Sequence, residues 1–459
     1  MDILIKSSGT KATRRGTNRA AIALKCSGTG HDKECACNGI ELSDQPEHAS
    51  SVLDALGVAL LNRGCLEEGA KLIEQALKIR RKYFGDDHPL TAQSLNSYAR
   101  VLRERGELNS AEETSQVALR INRNAFGNDS YPVAVSLVEY GVILLNLTRY
   151  AEAEKAANEG LAILRKRKLD DTDPNTTRLM DIRGRAEAAR GALDIAAKTF
   201  EEIQALDKAQ GANLPKTVSH LGNYASVKES QGLLKQAEAW YLKVIDAYAN
   251  RLKRRCHPNL IDAYANLGSL YLTRSSKASD IRQAARYLKE ALRLGLKVRG
   301  PNHVLVANDY SNVGRLLYKM EDRRGAIRHF ANALAIYDRN VRRGAIAPTY
   351  AFIGEALNWL GRSLVEGGTV GEAAKAEPLL ERAVTIWEAQ GEAGRLARAA
   401  ANGALGRALY LQSKDPQRAR ALLTESYETL SKALGEDYDY VQLLRAWLDE
   451  LCQGSAQAA

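Results

Sequence analysis

Apolar residues recur along the chain at spacings of three and four, as in the run Leu53, Leu56, Leu60 and Leu61. That spacing places the apolar side chains on one side of a helix, whereas a half-buried strand needs alternation at every second position. Few aromatic residues and many alanines and leucines also favour helix over strand. The pattern therefore predicts amphipathic helices and an all-α fold.

Prolines mark a period of about 43 residues. Eight of the ten prolines are separated by 43, 43, 42, 41, 43, 43 and 47 residues. Proline is tolerated in the first turn of a helix and breaks its interior, so each one marks a helix start or the loop before it. These prolines are Pro46, Pro89, Pro132, Pro174, Pro215, Pro258, Pro301 and Pro348.

Small residues keep the same period at three sites per repeat. The first site follows a bulky residue and holds Gly57, Ala99, Gly141, Ala225, Gly268, Gly314, Gly361 and Gly406. The second holds Gly69, Ala111, Ala153, Ala196, Ala237, Ala284, Ala326, Ala376 and Ala419. The third holds Ala76, Ala118, Gly160, Ala291, Ala333, Ala383 and Ser426, with Ile203 and Val244 as exceptions. Small residues let two helix backbones approach closely, which predicts two antiparallel helices per repeat, stacked on the next pair.

The order of these positions resembles the tetratricopeptide repeat consensus. One copy contains Tyr98-Ala99, Leu102, Gly106, Leu108, Ala111 and Ala118. The usual repeat has about 34 residues, and the longer repeat here resembles the kinesin-light-chain type, whose Gly-x-x-His-Pro linker stands intact at Gly85 to Pro89. The resemblance covers about residues 46–452. It implies a right-handed superhelical solenoid of about nine helix pairs with a C-terminal capping helix.

The period also predicts the domain organisation. Repeats are expected to start near residues 46, 89, 132, 174, 215, 258, 303, 348 and 395, with a cap at about 440–451 and a disordered tail at 453–459. Residues 1–45 lack the period and are predicted to be a disordered basic tail. The alternative for residues 1–30 is a mitochondrial-type transit segment, which is rich in Arg and Ser and poor in acidic residues.

The six cysteines do not form a compact disulfide framework, which favours a reducing compartment and a cytoplasmic location. Cys26, His31, Cys35 and Cys37 lack the spacing of a structural zinc site, so no metal is expected. No apolar run is long enough to span a membrane.

The common catalytic and nucleotide-binding motifs are missing, so we expect neither an enzyme nor a cofactor. His88, His257 and His303 lie in the linkers between repeats, where a loop or capping hydrogen bond is the expected role. The net charge of +10 mildly favours anionic partners.

Two polar registers flank the pair of a bulky and a small residue in the first helix of each repeat. The residue before the pair is asparagine in three successive repeats, at Asn223, Asn266 and Asn312. The residue after it is arginine in four repeats, at Arg100, Arg315, Arg362 and Arg407. Asparagine at this position resembles the ligand-holding asparagines of kinesin-light-chain-type and chaperone-binding tetratricopeptide domains. Arginine presents a fork that matches carboxylates.

These registers predict a scaffold or adaptor whose concave groove binds an extended, acidic or carboxylate-ended peptide. One alternative is polyanion binding by the tail and by basic clusters at the ends of second helices: Arg80–Lys82, Arg165–Lys168, Arg251–Arg255 and Arg339–Arg343. Another is a regulatory partner of a separately encoded enzyme. A protein or peptide partner is expected ahead of nucleic acid, because cations at a helix C-terminus are already explained by the helix dipole.

Overall fold

The computed structural model describes residues 3–7, 20–24, 40–42 and 45–457, except 64, 170–172, 210–213, 253–256 and 275–276. The cysteines and the histidine considered above for zinc, at positions 26, 31, 35 and 37, lie outside these residues.

Three short strands lie within the segment that the sequence predicts to be disordered. They are β1 (Ile3–Ser7), β2 (Ala20–Leu24) and β3 (Ile40–Leu42). They form an antiparallel sheet in the order β1-β2-β3, with Ile5 opposite Ile22 and Ala21 opposite Glu41. The departure has a local cause, because these runs contain most of the isoleucine and leucine of an otherwise polar segment.

Nineteen α-helices follow in the described part of the chain, which confirms the predicted all-α class. The first helices of successive pairs are α1 (Pro46–Arg63), α3 (Pro89–Glu104), α5 (Tyr131–Asn146), α7 (Pro174–Ala189), α9 (Leu214–Ser230), α11 (Pro258–Arg274), α13 (Val304–Lys319), α15 (Ala351–Val365) and α17 (Arg395–Leu411). The second helices are α2 (Leu66–Phe84), α4 (Leu108–Phe126), α6 (Tyr150–Lys166), α8 (Leu193–Ala209), α10 (Leu234–Asp246), α12 (Ala278–Val298), α14 (Arg323–Arg342), α16 (Val370–Ala389) and α18 (Pro416–Leu434).

The last helix, α19 (Asp439–Gln457), is longer than the predicted cap. Residues 453–457, expected as a disordered tail, continue this helix. A single glycine at position 454 weakens a helix but does not end it when no proline follows. A π-helical turn (Ala247–Arg251) follows α10, and a 3₁₀ turn (Gly391–Gly394) precedes α17.

Prolines and glycines in the sequence mark the helix boundaries. Pro46, Pro89, Pro174 and Pro258 are the first residues of their helices, where a missing backbone N–H costs nothing. Several second helices end at a glycine with positive φ: α2 at Gly85, α4 at Gly127 and α18 at Gly435, with φ of 90°, 79° and 88°. Because L-residues avoid that conformation, these glycines stop the helix and turn the chain into the next pair.

The two helices of a pair approach most closely at the small residues. A Cβ added to Gly57 would lie 2.6 Å from Ile73 Cγ1 and 2.9 Å from the carbonyl oxygen of Gly69. A Cβ on Gly69 would in turn lie 2.8 Å from the carbonyl oxygen of Gly57. The alanines at the second site are completely buried: Ala111, Ala153, Ala196, Ala237, Ala284, Ala326, Ala376 and Ala419. The predicted close approach at small residues is therefore confirmed.

The chain divides into two compact units. Unit 1 comprises residues 1–143 and 155–179, and unit 2 comprises residues 144–154 and 180–459. In unit 1, α1 packs on α2, α2 on α3 and α3 on α4. In unit 2, consecutive helices from α8 to α19 pack on one another in the same zigzag order.

Ala326→Phe tests the close approach within one pair. Ala326 is fully buried in α14, so the larger ring must displace neighbouring side chains or backbone. We expect a loss of about 1–3 kcal/mol in the free energy of unfolding, measured by urea denaturation. Ala335→Phe is the matched control, because Ala335 is exposed on the same helix. Equal stability of the two variants would contradict the pairing of α13 with α14.

Candidate functional site

The first helices of successive pairs form one continuous face in unit 2. Among the helices from α9 onward, α9 contacts α11, α11 contacts α13, α13 contacts α15, and α15 contacts α17. In the described residues, no two second helices are in comparable contact. The odd-numbered helices therefore lie closer together than the even-numbered ones. We call this surface of α9, α11, α13, α15 and α17 the odd face.

The three predicted asparagines lie on neighbouring helices of the odd face, and they differ in their partners. Asn223 Nδ2 donates a hydrogen bond to Asp181 Oδ1 at 2.7 Å. Asn266 is exposed and Asn312 is half-buried, and neither side chain has a hydrogen-bond partner among the described residues. The amides of Asn266 and Asn312 are therefore open for an external partner, whereas that of Asn223 is engaged.

Asp181 accepts the hydrogen bond of Asn223 and also contacts His220. His220 Nδ1 lies 3.3 Å from the same Oδ1 oxygen that accepts from Asn223. Burial opposes ionisation of Asp181, but the hydrogen bonds from His220 and Asn223 and the charge of Arg185 together hold its pKa below the ordinary value. The carboxylate is thus charged and fully occupied.

Arg315 is the most accessible of the predicted arginines in unit 2. Its Nη1 lies 3.8 Å from Glu355 Oε1, and its guanidinium lies 5.8 Å from the centroid of the Trp359 ring. The side chain is 27% exposed. A 3.8 Å ion pair is too long for a hydrogen bond, so this pair leaves hydrogen-bonding capacity of the guanidinium unused.

Arg362 is enclosed by three aromatic rings. Its guanidinium lies 4.9 Å from the ring of Tyr318, 5.2 Å from that of Trp359 and 4.1 Å from that of Tyr440. Arg362 Nε also donates to Glu366 Oε1 at 2.8 Å, and Nη2 donates to the Tyr318 hydroxyl at 2.7 Å. Ring faces and a carboxylate both stabilise the cation, so the side chain is fully occupied within the chain.

Arg407 is enclosed in the same way, by residues of the last helix. Its Nη1 lies 2.8 Å from Glu450 Oε2, and its guanidinium lies 5.7 Å from the Trp447 ring. The side chain is 9% exposed. Glu450 of α19 faces Arg407 and supplies the counter-charge that this buried cation needs. Lys319 Nζ also lies 3.9 Å from Asp439 Oδ2. Helix α19 therefore covers the α15–α17 end of the odd face.

Arg100 belongs to unit 1 and is separate from this group. It lies on α3, and its Nη2 donates to Asn62 Oδ1 at 2.8 Å. The structure thus brings Asn266, Asn312 and Arg315 together on neighbouring helices with spare polar capacity. Arg362 and Arg407 are neighbours too, but they hold α19.

The aromatic residues of the odd face are missing from the sequence prediction. Trp359 occupies on α15 the register that Asn312 occupies on α13, directly before the Leu-Gly pair. Trp359 could therefore be predicted as a residue of the odd face from its register position. No local signal pointed to Tyr440 or Trp447, because their contacts with Arg362 and Arg407 join residues about 40 or more positions apart.

Sequence comparison decides the family. A sequence model described as tetratricopeptide repeat matches residues 48–124, 275–339 and 352–432. These matches fall on helices α1–α4, α12–α14 and α15–α18. The chain contains tetratricopeptide repeats over these residues. No curated protein is similar enough to count as a match.

Solved structures are similar to this chain at low sequence identity. A Rap protein complexed with competence and sporulation factor is 15% identical, with a TM-score of 0.51, 80% of this chain covered and 98% of that one. BtubC (BKLC) from P. vanneervenii is 18% identical, with a TM-score of 0.40 and coverages of 54% and 92%. TPR-like repeats of a Podosopora anserina kinesin light chain are 20% identical, with a TM-score of 0.36 and coverages of 45% and 98%. At 15% identity the similarity to the Rap protein bears on the fold alone.

The linker histidines of the tetratricopeptide repeats cap helices. His88 Nδ1 accepts from the backbone N–H of Leu90 at 3.1 Å, and His303 Nδ1 accepts from that of Leu305 at 3.0 Å. His257 Nδ1 accepts from the N–H of Asn259 at 3.2 Å. The predicted capping role is confirmed. In the described residues, no cluster of three His, Cys, Asp or Glu could hold a metal ion, and no helix is long and apolar enough to cross a membrane.

A buried carboxylate lies beneath the candidate site, one turn before Asn312. Asp309 on α13 is 4% exposed, and a Cβ added to Gly295 on α12 would lie 2.5 Å from its Oδ2 oxygen. That oxygen has no hydrogen-bond partner among the described residues. Burial raises the pKa of Asp309 to about 7; the charge of Arg299 opposes this shift, and that of Asp262 adds to it.

This raised pKa predicts a pH-dependent stability. Between about pH 4 and pH 7 the unfolded chain carries an ionised Asp309 while the folded chain keeps it protonated, so the folded state loses stability as the pH rises. A shift of about three pKa units corresponds to about 4 kcal/mol. We expect Asp309→Asn to remove this loss, measured by urea denaturation from pH 4 to pH 8.

Asp437→Asn is the matched control, because Asp437 is exposed in the loop before α19. It should keep the pH profile of the wild type. An unchanged profile in Asp309→Asn would contradict the burial of a protonated carboxyl group at this junction.

Proposed function

We propose that this tetratricopeptide repeat protein is a non-enzymatic scaffold that binds an extended segment of another protein along the odd face, across α9, α11 and α13. The observation that supports this most directly is the pair of unpartnered amides of Asn266 and Asn312. They lie in one register on two contacting helices.

The spacing suits an extended backbone. Neighbouring packed helices lie about 8–10 Å apart, which is about three residues of an extended chain. Each asparagine amide offers both a donor and an acceptor. Asn266 and Asn312 together can therefore bind backbone groups of one segment at intervals of about three residues without selecting its side chains.

Selectivity for acidic or carboxylate-ended segments is proposed to come from Arg315. A ligand carboxylate at Arg315 would replace the 3.8 Å ion pair with Glu355 by a bidentate contact. Arg362 and Arg407 are not assigned to the ligand, since they hold α19. The proposed site is accordingly shorter than the row of arginines in the sequence.

Polyanion binding at the ends of the second helices has less support. Arg80 is completely buried and donates to Ser94 Oγ at 2.8 Å and to the Leu90 carbonyl at 2.9 Å. Lys166 pairs with Asp129, and Arg251 lies 3.1 Å from Asp246. Each of these three clusters therefore uses at least one cation in a contact within the chain. The regulatory-partner alternative uses the same odd face and is addressed by the same experiment.

The proposal predicts that substitution of the open polar groups abolishes partner binding. Partners are captured from native lysate by the full chain, and the bound segment is mapped and synthesised as a labelled peptide. Replacement of Asn266, Asn312 and Arg315 by alanine should weaken that peptide at least about thirtyfold, because each lost hydrogen bond contributes about 1 kcal/mol. Arg315→Glu alone should weaken an acidic peptide more than its amidated, neutralised version.

The matched control replaces Gln283, Asn332 and Lys375 by alanine, since all three are exposed on even-numbered helices. This variant should bind like the wild type, at both 50 and 200 mM salt. Equal affinity of the Asn266/Asn312/Arg315 variant and the wild type would contradict the proposed site. If added salt abolished binding in every variant, the partner would be bound by a charged surface and not by the asparagines of the odd face.

A further inference from the structure

Two second helices of unit 2 carry rows of exposed cations. On α12 these are Arg282, Arg286, Lys289, Arg293 and Lys297, all exposed. On α14 they are Arg324, Arg328, Arg339 and Arg342, also exposed. At 100° per residue each row falls within an arc of about 80° on its helix. We call these nine residues the outer basic surface.

Most of these cations have no acidic partner. Arg293 pairs with Glu290 at 2.7 Å, and Arg339 donates to Asn302. In the described part of the chain, the remaining seven make no ion pair. The flanking helix α16 differs, because its exposed positions include Glu381 and Glu388. The concentration of positive charge is thus a local property of α12 and α14 and not a consequence of the net charge.

Helix stability does not explain the rows. Cations favour the last turn of a helix, which accounts for Lys297, Arg339 and Arg342. Arg324 lies instead in the first turn of α14, at the positive end of the helix, where a cation is unfavourable. Like charges four residues apart, such as Arg282 with Arg286 and Arg324 with Arg328, also destabilise a helix. An arrangement that opposes stability at both helices indicates a partner that supplies the missing negative charge.

The chemistry of the surface selects among anionic partners. No large hydrophobic side chain of α12 or α14 is exposed. Insertion into a membrane surface needs an apolar face, and single-stranded nucleic acid needs aromatic platforms for its bases. The row on α12 is about 22 Å long, and a nucleic acid duplex presents one charge per about 1.7 Å of its axis. Most of the nine cations are arginines, whose fork matches phosphate oxygens.

We propose that the outer basic surface binds the phosphate backbone of a nucleic acid duplex without reading its sequence. Phosphate oxygens would take the place of the absent acidic side chains, and each cation that reaches a phosphate would release a condensed counterion. This site is separate from the odd face, so it is independent of the proposed peptide binding.

Fluorescence anisotropy with a labelled 24-base-pair DNA duplex of arbitrary sequence tests the proposal on the full chain. The wild type should bind at 50 mM KCl, and its affinity should fall steeply towards 200 mM. Reversal of three charges, R282E/R286E/K289E, should weaken binding at least about tenfold. It should also make the slope of log affinity against log salt less steep by about three, since each phosphate contact contributes about 0.9.

The matched control K71E/K78E/K198E changes the net charge equally, at exposed positions of α2 and α8. It should stay within about threefold of the wild type. A second variant, R282Q/R286Q/K289Q, removes the contacts without adding repulsion and should also weaken binding. The N266A/N312A variant should bind the duplex normally.

Several results would overturn the proposal. These are no binding by the wild type, equal weakening in the control, and unchanged binding in the glutamine variant. Binding of phosphatidylserine vesicles without binding of the duplex would overturn it as well.

Discussion

The close approach of two helix backbones at small residues is the constraint on which the rest of the structure depends. At Gly57 and Gly69 a single added carbon would overlap the carbonyl oxygen of the facing helix. The fully buried alanines at the same register make the corresponding approach in the other pairs. Because the distance within a pair is fixed by small residues, successive pairs can stack in one register, and the first helices of unit 2 come into contact with one another.

This stacking divides the polar residues of unit 2 into two groups. At the α15–α17 end, α19 supplies the Tyr440 ring to Arg362 and a carboxylate to Arg407. Asn266 and Asn312 receive no such partner. A buried polar group without a partner is costly, whereas an accessible one is a candidate contact for a ligand. The open amides and the less tightly paired Arg315 therefore define a shorter candidate site than the sequence pattern alone.

The sequence predicts the helix pairs well because the information is local. The period of the prolines and the alternation of large and small residues depend on neighbours within one repeat, and both reappear in the helix starts and in the buried alanines. The role of each polar residue depends on distant contacts instead. Asn223 and Asn266 share one register, yet only Asn223 meets a carboxylate, at Asp181. The rows on α12 and α14 depend on which side of each helix is exposed, and that is set by packing between repeats and not by local sequence.

Site-specific photocrosslinking tests the central claim, that a partner segment lies along the odd face. Benzoylphenylalanine in place of Ser269, one turn after Asn266 on α11, should crosslink to the captured partner segment. The same residue in place of Ala239, exposed on the outer side of α10, should not. Crosslinking at position 269 alone is the result that the account predicts. Crosslinking at position 239 and not at 269 would contradict it, and the partner would then bind the outer side of the repeats.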